Sequence, residues 1–379
     1  MDAEAEPIRA LVRKLAARYD RRYWLECAHA GRHVDAMWRA LGEAGVLGVT
    51  VPEAYGGSGP SLARLCVAVE ELASCGVPTL FLVVSTAMAA LPIARHGSEA
   101  QKRRYLPRLA DGSEKFCFAL TEPDAGSNSF ALRTTARRDG ASYVLRGQKV
   151  FITGASDADH VLVVARTGDG EDARARLSLL LVPAKAPGIE LRAMDIRMVA
   201  PEQQFEVFLD DVRVPVEARL GDEGAGGRIM FDALNPERVT VAALACGLGR
   251  YALAKAVAYA KERAVFRGPI GAYQSIAHPL AEVATDLELA ALMAHHAAAR
   301  FDAGDDAAML ANMAKLAAAE AGIAAVDRAI QVHGGAGFTA EVDLITLWPL
   351  VRLFRTAPVS RELILNHIAE HGLGLPRSH

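Results

Sequence analysis

The chain has 379 residues, of which 51% are hydrophobic and 23% charged, with a formal net charge of −3. This is the composition of an ordinary globular protein, long enough for two or three sub-domains that share a large core. Lysine and arginine are scattered along the chain, so there is no reason to expect nucleic acid as a partner. The five cysteines include no C-x-x-C pair, which suits buried thiols in a reducing, cytoplasmic compartment.

No segment is typical of a targeting signal or of a membrane span. Residues 1–9 are acidic and lack an apolar core, unlike a signal peptide. The most apolar run, Thr79 to Ala94, is too short to cross a bilayer and contains Pro92. We expect this run to form a buried helix.

Stretches of different periodicity follow one another along the chain. From Pro7 to about Arg108 apolar residues recur at helical spacing, with Ser98 as the N-cap of the last helix. From Phe116 to about Leu220 the rhythm changes to short apolar runs separated by Gly, Asp and Pro. These runs predict strands at 143–146, 161–164, 177–182 and 205–209. From Gly227 onward Ala- and Leu-rich helical stretches return, so the predicted order is α, then β, then α.

A turn near the start of the β region, residues 119–128, reads A-L-T-E-P-D-A-G-S-N. Pro123 fixes one backbone angle, Gly126 permits a positive φ, and Thr121 and Ser127 add hydroxyl groups beside free backbone N–H groups. Such a turn can bind a polar cofactor, although the same residues also make an ordinary turn between strands. The segment G-Q-K-V-F-I-T-G at 147–154, about one hairpin later, favours cofactor binding.

These two segments resemble the flavin-contacting segments of the acyl-CoA dehydrogenase family. Family members carry a T-E-P-x-A-G-S turn and then a G-x-K-x-(W/F)-I-T-(N/G) strand at this spacing. Residues 47–57, 259–266 and 331–338 are similar to the family's early helix-to-loop signature, its Y-A-x-x-R-x-x-F helix and its Q-x-x-G-G-x-G-(F/Y) segment. Five matches in order over nearly the full length carry far more weight than one motif.

The resemblance implies an α+β fold in three parts. We expect an N-terminal helical domain at 1–115, a middle β-barrel or β-sandwich domain at 116–222, and a C-terminal four-helix bundle at 223–379. One noncovalent FAD would lie between the middle and C-terminal domains, completed by a neighbouring subunit. The apolar helices at 281–299 and 309–330 further suggest a homotetramer built as a dimer of dimers. No metal site is expected.

The family removes two hydrogens from the α and β carbons of an acyl thioester. Because the α C–H is weakly acidic, the reaction needs a carboxylate base and donors at the thioester oxygen, while the flavin accepts the hydride. In most members the base follows the Gly-Gly segment, where this chain has Pro358. In the isovaleryl and long-chain type, the base lies on the first helix of the C-terminal domain, before an arginine. The matching residues here are Glu237 and Arg238, so Glu237 is the candidate base.

A structural role for Glu237 is also consistent with its neighbours. Asn235 would cap a helix, Pro236 would take its first position, and a glutamate would come next to favour the helix dipole. A helix N-terminus would lower the carboxyl pKa and an apolar pocket would raise it, and the sequence leaves that balance open. Glu362 is the competing carboxylate, at a position where the family has a residue beside the flavin.

The resemblance also assigns cofactor and substrate contacts. Around the flavin ring and the acyl entrance it implies Phe118, Leu120, Thr121, Gly126, Ser127, Phe151, Ile152 and Thr153. At the nucleotide end of an FAD bound mainly to the partner subunit it implies Arg263, Phe266, Gln274, Gln331, Gly334 and Gly335. Ser360 and Glu362 lie on the cofactor side, and the expected substrate contacts are Ser127, Asn235 and Arg238. His333 is expected to be structural.

The chain departs from the family pattern at the nucleotide end. Arg267 follows Phe266 where a glycine is usual, Asn128 stands where many members have Asp, and the R-D pair is absent near Pro349-Leu350. These departures affect the expected cofactor contacts more than the fold.

The favoured function is an FAD-dependent acyl-CoA dehydrogenase that passes electrons to an electron-transfer flavoprotein. A second interpretation keeps the flavin and changes the carrier or the acceptor, giving a dehydrogenase or oxidase of acyl groups on a carrier protein. A third is a non-catalytic flavoprotein scaffold that lost its base at Pro358. The intact turn at 121–127 and the Glu237-Arg238 pair argue against the third interpretation.

Overall fold

The computed structural model describes residues 2–377, beginning with a helical region. Its helices are α1 (Asp2–Arg18), α2 (Arg21–His29), α3 (Asp35–Glu43), α4 (Leu62–Ser74), α5 (Leu91–His96) and α6 (Glu99–Asp111). A wider helical segment of π type, Leu82–Ala90, runs directly into α5 and is buried throughout, as the apolar run predicted. Ser98 caps α6 in a capping box: its hydroxyl accepts from Gln101 N at 3.2 Å, and Gln101 Oε1 accepts from Ser98 N at 2.9 Å.

A twisted sheet forms the middle of the described chain. Its strands are β1 (Phe116–Ala119), β2 (Thr135–Asp139), β3 (Ser142–Thr153), β4 (His160–Arg166), β5 (Leu177–Pro183), β6 (Ile189–Ala193), β7 (Gln204–Pro215) and β8 (Arg219–Leu220). The strand order is β6-β7-β3-β2-β4-β5-β8, and β1 pairs in parallel with β4. The four predicted strand runs lie in β3, β4, β5 and β7, which confirms them. β4 and β5 are buried along almost their whole length, as their unbroken apolar runs require.

Long helices return after the sheet. They are α7 (Gly226–Glu262), α8 (Gln274–Asp302) and α9 (Ala308–His333), followed by the short α10 (Leu347–Leu353) and α11 (Arg361–His367). A small hairpin, β9 (Ala264–Val265) and β10 (Gly268–Pro269), connects α7 to α8. Small residues let the helices approach closely: a Cβ on Gly322 of α9 would lie 3.1 Å from the Ala245 carbonyl oxygen of α7.

Two stretches are long and apolar enough to cross a membrane by length and composition alone. They are Gly226–Glu262 and Ala308–Phe338, and 61% and 56% of their most apolar windows are buried inside the chain. Buried core helices of globular proteins pass the same test, so these two helices are weak evidence for a membrane protein.

The candidate functional site

A buried ion pair fixes the turn that follows β1 to strand β3. Lys149 is fully buried, and its Nζ lies 2.9 Å from Glu122 Oε1 while donating to the Leu120 carbonyl at 2.9 Å. The Glu122 carboxylate also accepts from the backbone N–H groups of Arg133 (2.5 Å) and Thr134 (2.9 Å). Burial pushes the pKa of Glu122 upward, but Lys149 and the N–H donors outweigh burial, so the net pKa lies below the usual value.

Sequence reasoning missed this pair, although both residues lie inside the two motifs. The sequence did contain a clue to this ion pair: Glu122 lies in the first motif, and Lys149 lies in the second motif, one hairpin later. The turn and the strand are joined further by Val150 N, which donates to the Thr121 carbonyl at 2.9 Å. The turn at 119–128 and the segment at 147–154 are therefore joined by both side-chain and backbone hydrogen bonds.

Phe151 is turned out of the sheet at an irregular point of β3. The register against β7 shifts between Lys149 and Ile152, and Phe151 takes a left-handed φ of 58° with 56% of its surface exposed. A non-glycine residue in this conformation costs about 1–3 kcal/mol and tends to persist at functional sites. Ile152 is buried, and Thr153 Oγ1 donates to Gln204 Oε1 at 3.1 Å. An exposed aromatic ring on strained backbone suits a planar ligand better than a core.

The remaining ring-side residues differ in exposure. Gly126 and Ser127 are exposed, Leu120 and Thr121 are half-buried, and Phe118 is buried in the core. Gly126 does not use the positive φ that a glycine permits, because its backbone lies outside that conformation. Its contribution is space: a methyl group added there would meet no atom within 4 Å.

The end of the turn lies against α7, close to the candidate base. The Phe130 and Phe231 ring centroids are 6.1 Å apart, and Arg174 lies over both rings. Phe231 precedes Glu237 by fewer than two helical turns. The structure thus brings the turn at 119–128 and the Glu237 region of α7 to the same part of the molecule.

Asn235 and Pro236 do not begin a helix, which corrects the sequence-based expectation. α7 begins at Gly226, so Pro236 and Glu237 lie inside it. α7 packs on α4 and α9, and the helix continues through Pro236 although that residue lacks a backbone donor and its ring crowds the carbonyl of the preceding turn. The dipole at a helix N-terminus acts mainly within the first turn, so it does not lower the pKa of Glu237 here.

Glu237 is half-buried, and the charged groups that act on its carboxyl are Arg238 and Lys315. Among residues 2–377, Glu237 Oε2 and Arg238 Nε are buried without a hydrogen-bond partner. Burial raises the pKa of Glu237 to about 8, against the opposing effects of Arg238 and Lys315. Lys315 of α9 is also buried, and its pKa is lowered by burial to about 8 although Glu237 opposes this. Asn235 Oδ1 accepts from Arg238 Nη1 at 2.7 Å.

The competing carboxylate, Glu362, lies in a different environment. It is exposed in the first turn of α11, where the Ser360 hydroxyl caps the helix by accepting from Leu363 N at 3.3 Å. The preceding loop, which contains Pro358, is held to α9 by Lys315, whose ammonium donates to the Val359 carbonyl. Of these two candidate carboxyls, Glu237 has an oxygen that is buried without a hydrogen-bond partner among the described residues, and Glu362 is exposed.

The residues expected at the nucleotide end lie on the surface of the single chain. Phe266, at the tip of the β9–β10 hairpin, is fully exposed with a φ of 54°. Also exposed are Arg263, Arg267, Gln274, Gln331, Gly334 and Gly335. A Cβ on either of these glycines would meet nothing within 4 Å. His333, in contrast, is buried, with Nδ1 2.8 Å from the Ala329 carbonyl and its ring stacked on Tyr259, which agrees with a structural role.

The chemistry of these surfaces fits a flavin nucleotide. Phe151 offers an aromatic face, Thr121 and Ser127 offer hydroxyl groups, and the exposed Arg263 and Phe266 suit phosphate and adenine groups. Within residues 2–377, no group of three or more His, Cys, Asp or Glu residues is arranged to hold a metal ion.

Comparison with known proteins finds the same family along nearly the whole chain. Models of the acyl-CoA dehydrogenase N-terminal, middle and C-terminal domains match residues 2–113, 117–212 and 224–373. The chain is 47% identical to acyl-CoA dehydrogenase FadE12 of Mycobacterium tuberculosis, covering 99% of this chain and 97% of that protein.

Solved structures give the same result. A glutaryl-CoA dehydrogenase from Mycobacterium smegmatis in complex with FADH2 is similar with a TM-score of 0.90 and 30% identity, covering 99% and 95% of the two chains. The prolyl acyl carrier protein oxidase AnaB is similar with a TM-score of 0.92 and 26% identity, covering 99% and 100%. The chain belongs to the acyl-CoA dehydrogenase family, whose members are FAD-dependent oxidoreductases.

Proposed function

We propose that this family member catalyses the α,β-dehydrogenation of an acyl-CoA thioester to the trans-2-enoyl thioester, with Glu237 as the base. The observation that carries the assignment of the base is the unpaired, buried Oε2 of Glu237 beside two cations. The Pro358 position offers no carboxylate, and Glu362 is solvated. FAD, when bound, supplies the acceptor for the β hydride.

The surroundings of Glu237 suit the removal of an α proton. A carboxyl with a pKa of about 8 is a stronger base than an ordinary glutamate, and it is partly ionised near neutral pH. Arg238 and Lys315 favour its ionised form. Arg238 Nε is free to donate to a polar group of the thioester, and Asn235 fixes the guanidinium that carries it.

The cofactor would be held by two sets of residues from different subunits. The turn and the end of β3 supply the flavin side, with Leu120, Thr121, Gly126, Ser127, Phe151, Ile152 and Thr153. A partner's hairpin and the end of its α9 supply the nucleotide side, with Arg263, Phe266, Gln274, Gln331, Gly334 and Gly335. The exposure of the second set in a single chain supports this division. An electron-transfer flavoprotein is the proposed acceptor, and the cytoplasm is the proposed location.

Glu237→Gln tests the base directly. The amide keeps the shape of the side chain, so FAD and thioester binding should persist while flavin reduction slows by about a hundredfold or more. Stopped-flow bleaching by acyl-CoA measures this step apart from product release. Glu362→Gln is the matched control and should reduce at close to the wild-type rate.

The opposite pattern, with Glu237→Gln unimpaired and Glu362→Gln inactive, would move the base to α11. A wild type that binds FAD yet is bleached by no thioester would support the non-catalytic scaffold instead.

The similarity to AnaB favours one second candidate, an oxidase acting on acyl groups carried by a protein. Glu237 could act on either carrier, because the proposed base meets only the acyl part of the thioester. Bleaching by carrier-bound but not CoA-bound acyl groups would favour this second candidate.

A further inference from the structure

The β9–β10 hairpin turns through two residues, Phe266 and Arg267. Val265 and Gly268 pair with each other on either side, so these two residues form the whole loop. Two-residue hairpin loops usually place glycine, asparagine or aspartate where φ is positive. Phe266 takes such a conformation here, with a φ of 54°, and its ring is fully exposed. A large aromatic side chain is thus held on unfavourable backbone without being buried in its own chain.

The hydroxyl of Tyr273, in the segment that follows the hairpin, fixes this turn. It donates to the Val265 carbonyl at 3.1 Å and accepts from the Arg267 N–H at 3.4 Å, so one hydroxyl joins the two sides of the loop. The base of the hairpin is closed by Ile270 N, which donates to the Arg263 carbonyl at 2.8 Å. A strained residue persists only where its surroundings determine its conformation, and such residues cluster at functional sites. Tyr273 supplies this constraint at the tip of the hairpin.

The hairpin carries two arginines whose charges are not paired. Arg263 and Arg267 are exposed, and within residues 2–377 neither guanidinium forms an ion pair. The exposed Arg300, in contrast, pairs with Asp305 at 3.0 Å. The segment 259–269 contains three cationic residues and one acidic residue. Unpaired guanidinium groups close together suit a ligand with adjacent negative charges, such as a pyrophosphate.

The hairpin lies beside a glycine turn that leaves room for a ligand. Tyr259, near the end of α7, stacks on His333 at the end of α9, with ring centroids 4.4 Å apart. Gly334 and Gly335 follow His333, and a Cβ on either would meet nothing within 4 Å. The ends of α7 and α9 therefore combine open backbone, an exposed aromatic ring and two cations. A nucleotide diphosphate needs these groups, because its base stacks on aromatic rings and its phosphates bind cations and N–H groups.

We propose that Arg267 is a second cation, beside Arg263, for the pyrophosphate of the FAD bound mainly to the partner subunit, and that Tyr273 is the residue that positions it. This inference rests on the proposed division of the cofactor between two subunits. Arg267 occupies a position where the family pattern has a glycine, so this chain adds a charge that the pattern lacks.

The FAD dissociation constant of the full-length apoprotein, measured by flavin fluorescence, tests the charge. Arg267→Gln should raise this constant by about tenfold or more at low salt, as expected for the loss of a charge-assisted hydrogen bond. The difference from the wild type should shrink at about 0.5 M salt, because salt screens interactions between exposed charges. Arg267→Lys, which keeps the charge, should lose less affinity. Arg32→Gln is the matched control, since Arg32 is also exposed and unpaired within residues 2–377, and it should bind FAD like the wild type.

Two results would overturn the role of Arg267. One is unchanged FAD binding in Arg267→Gln. The other is a loss of affinity of equal size at low and high salt, because such a loss would reflect an altered hairpin and not a missing charge.

Tyr273→Phe tests the positioning role, since it removes only the hydroxyl. The FAD dissociation constant should rise by about fivefold at both salt concentrations, while the melting temperature of the apoprotein stays unchanged because the hairpin tip is exposed. Tyr55→Phe, which removes a hydroxyl that donates to Glu99 at 2.8 Å, is the matched control and should not affect FAD binding. A lower melting temperature with unchanged FAD binding would show that Tyr273 has only a structural role.

These measurements use neither a thioester nor the proposed base, so their failure is distinct from failure of the proposed function. Glu237→Gln should bind FAD with wild-type affinity. A wild type that shows the expected effects of Arg267→Gln and Tyr273→Phe, yet is bleached by no thioester, would support this inference and contradict the proposed dehydrogenation.

Discussion

At the scale of single residues, the proposed role of Glu237 as the base predicts the direction of the pH dependence of the reaction. The base acts only when ionised, and burial holds its pKa at about 8. The second-order rate constant for flavin reduction should therefore rise about tenfold per pH unit below that value and level off above it. Stopped-flow measurements from pH 6 to 10 give the profile.

Lys315→Met provides the companion measurement for this pH profile. Lys315 lowers the pKa of Glu237, so its removal should move the midpoint to higher pH. A wild-type rate that is independent of pH between pH 6 and 8 would contradict Glu237 as the base.

The buried Lys149–Glu122 pair is a second residue-scale prediction. Lys149→Met leaves the Glu122 carboxylate buried without its cation, which typically costs about 3–5 kcal/mol of unfolding free energy. Thermal and denaturant unfolding measure the loss, and FAD retention should fall with it because the turn is no longer fixed to β3. Lys185→Met, at an exposed position, should change stability by less than about 0.5 kcal/mol. Equal effects of the two substitutions would contradict a structural role for the pair.

The sequence was a better guide to the identity of the candidate site residues than to the backbone conformations and contacts that position them. Phe151 was placed by its motif, but its left-handed backbone depends on the register shift against β7, which is not visible in β3 alone. Asn235-Pro236 reads locally as a helix start, but packing of α7 overrides that preference. The two motifs contain Glu122 and Lys149, but the burial of the pair and its 2.9 Å contact depend on the turn folding back on β3.

At the scale of elements, the close contact between α4 and α7 depends on Gly247. A Cβ there would lie 2.3 Å from the Glu70 carbonyl oxygen and 2.6 Å from Ala73 Cβ. Alanine improves helix propensity by about 1 kcal/mol, but backbone on the facing helix cannot move aside easily. Gly247→Ala should therefore destabilise the protein by about 1–3 kcal/mol in denaturant unfolding.

Gly249→Ala is the matched control for this contact. Its added methyl would meet Leu287 Cδ2 at 2.5 Å, the flexible end of a side chain that can rotate away. It should be clearly less destabilising than Gly247→Ala. The reverse order would mean that α4 and α7 separate more readily than their packing suggests.

Elements with a strong pattern of apolar residues were predicted well. Features that depend on contacts with distant parts of the chain were not. The runs in β4 and β5 are apolar at nearly every position because both strands are buried on both faces. The order of strands in the sheet and the start of α7 are set by contacts distant in sequence. Local pattern carries little information about either.

At the scale of the whole molecule, large apolar side chains on the surface of the single chain predict that the protein forms oligomers. Leu289 and Leu292 of α8 are 61% and 55% exposed, and Phe266 is fully exposed. We expect a homotetramer of the 40.4 kDa chain, measured by light scattering. Leu289→Glu combined with Leu292→Glu should shift the mass to smaller species if α8 lies at an interface. Ile196→Glu, in an exposed loop of the middle region, should not. A wild-type monomer that retains FAD would contradict the assembly.

The order of helical, sheet and helical regions was predictable because the period of the apolar residues changes along the chain. The division at 1–115, 116–222 and 223–379 remains our proposal for the domains. Contacts across these limits, such as that of α4 with α7, show why sequence periodicity alone cannot describe how the parts dock.

The uninterrupted course of α7 has a geometric consequence. Glu237 and the hairpin carrying Phe266 lie towards opposite ends of one helix, separated by roughly 38 Å at about 1.5 Å per residue. In the proposed dimer, the length of α7 fixes a distance between two sites. One is the proposed base of its own subunit, and the other is the adenosine end of the cofactor bound to the partner subunit. Insertion of one residue between Glu237 and the hairpin would lengthen α7 by about 1.5 Å and rotate the hairpin by about 100° around the helix axis. The number of residues between Glu237 and the 259–266 segment therefore affects the geometry of the proposed dimer as well as that of the single chain.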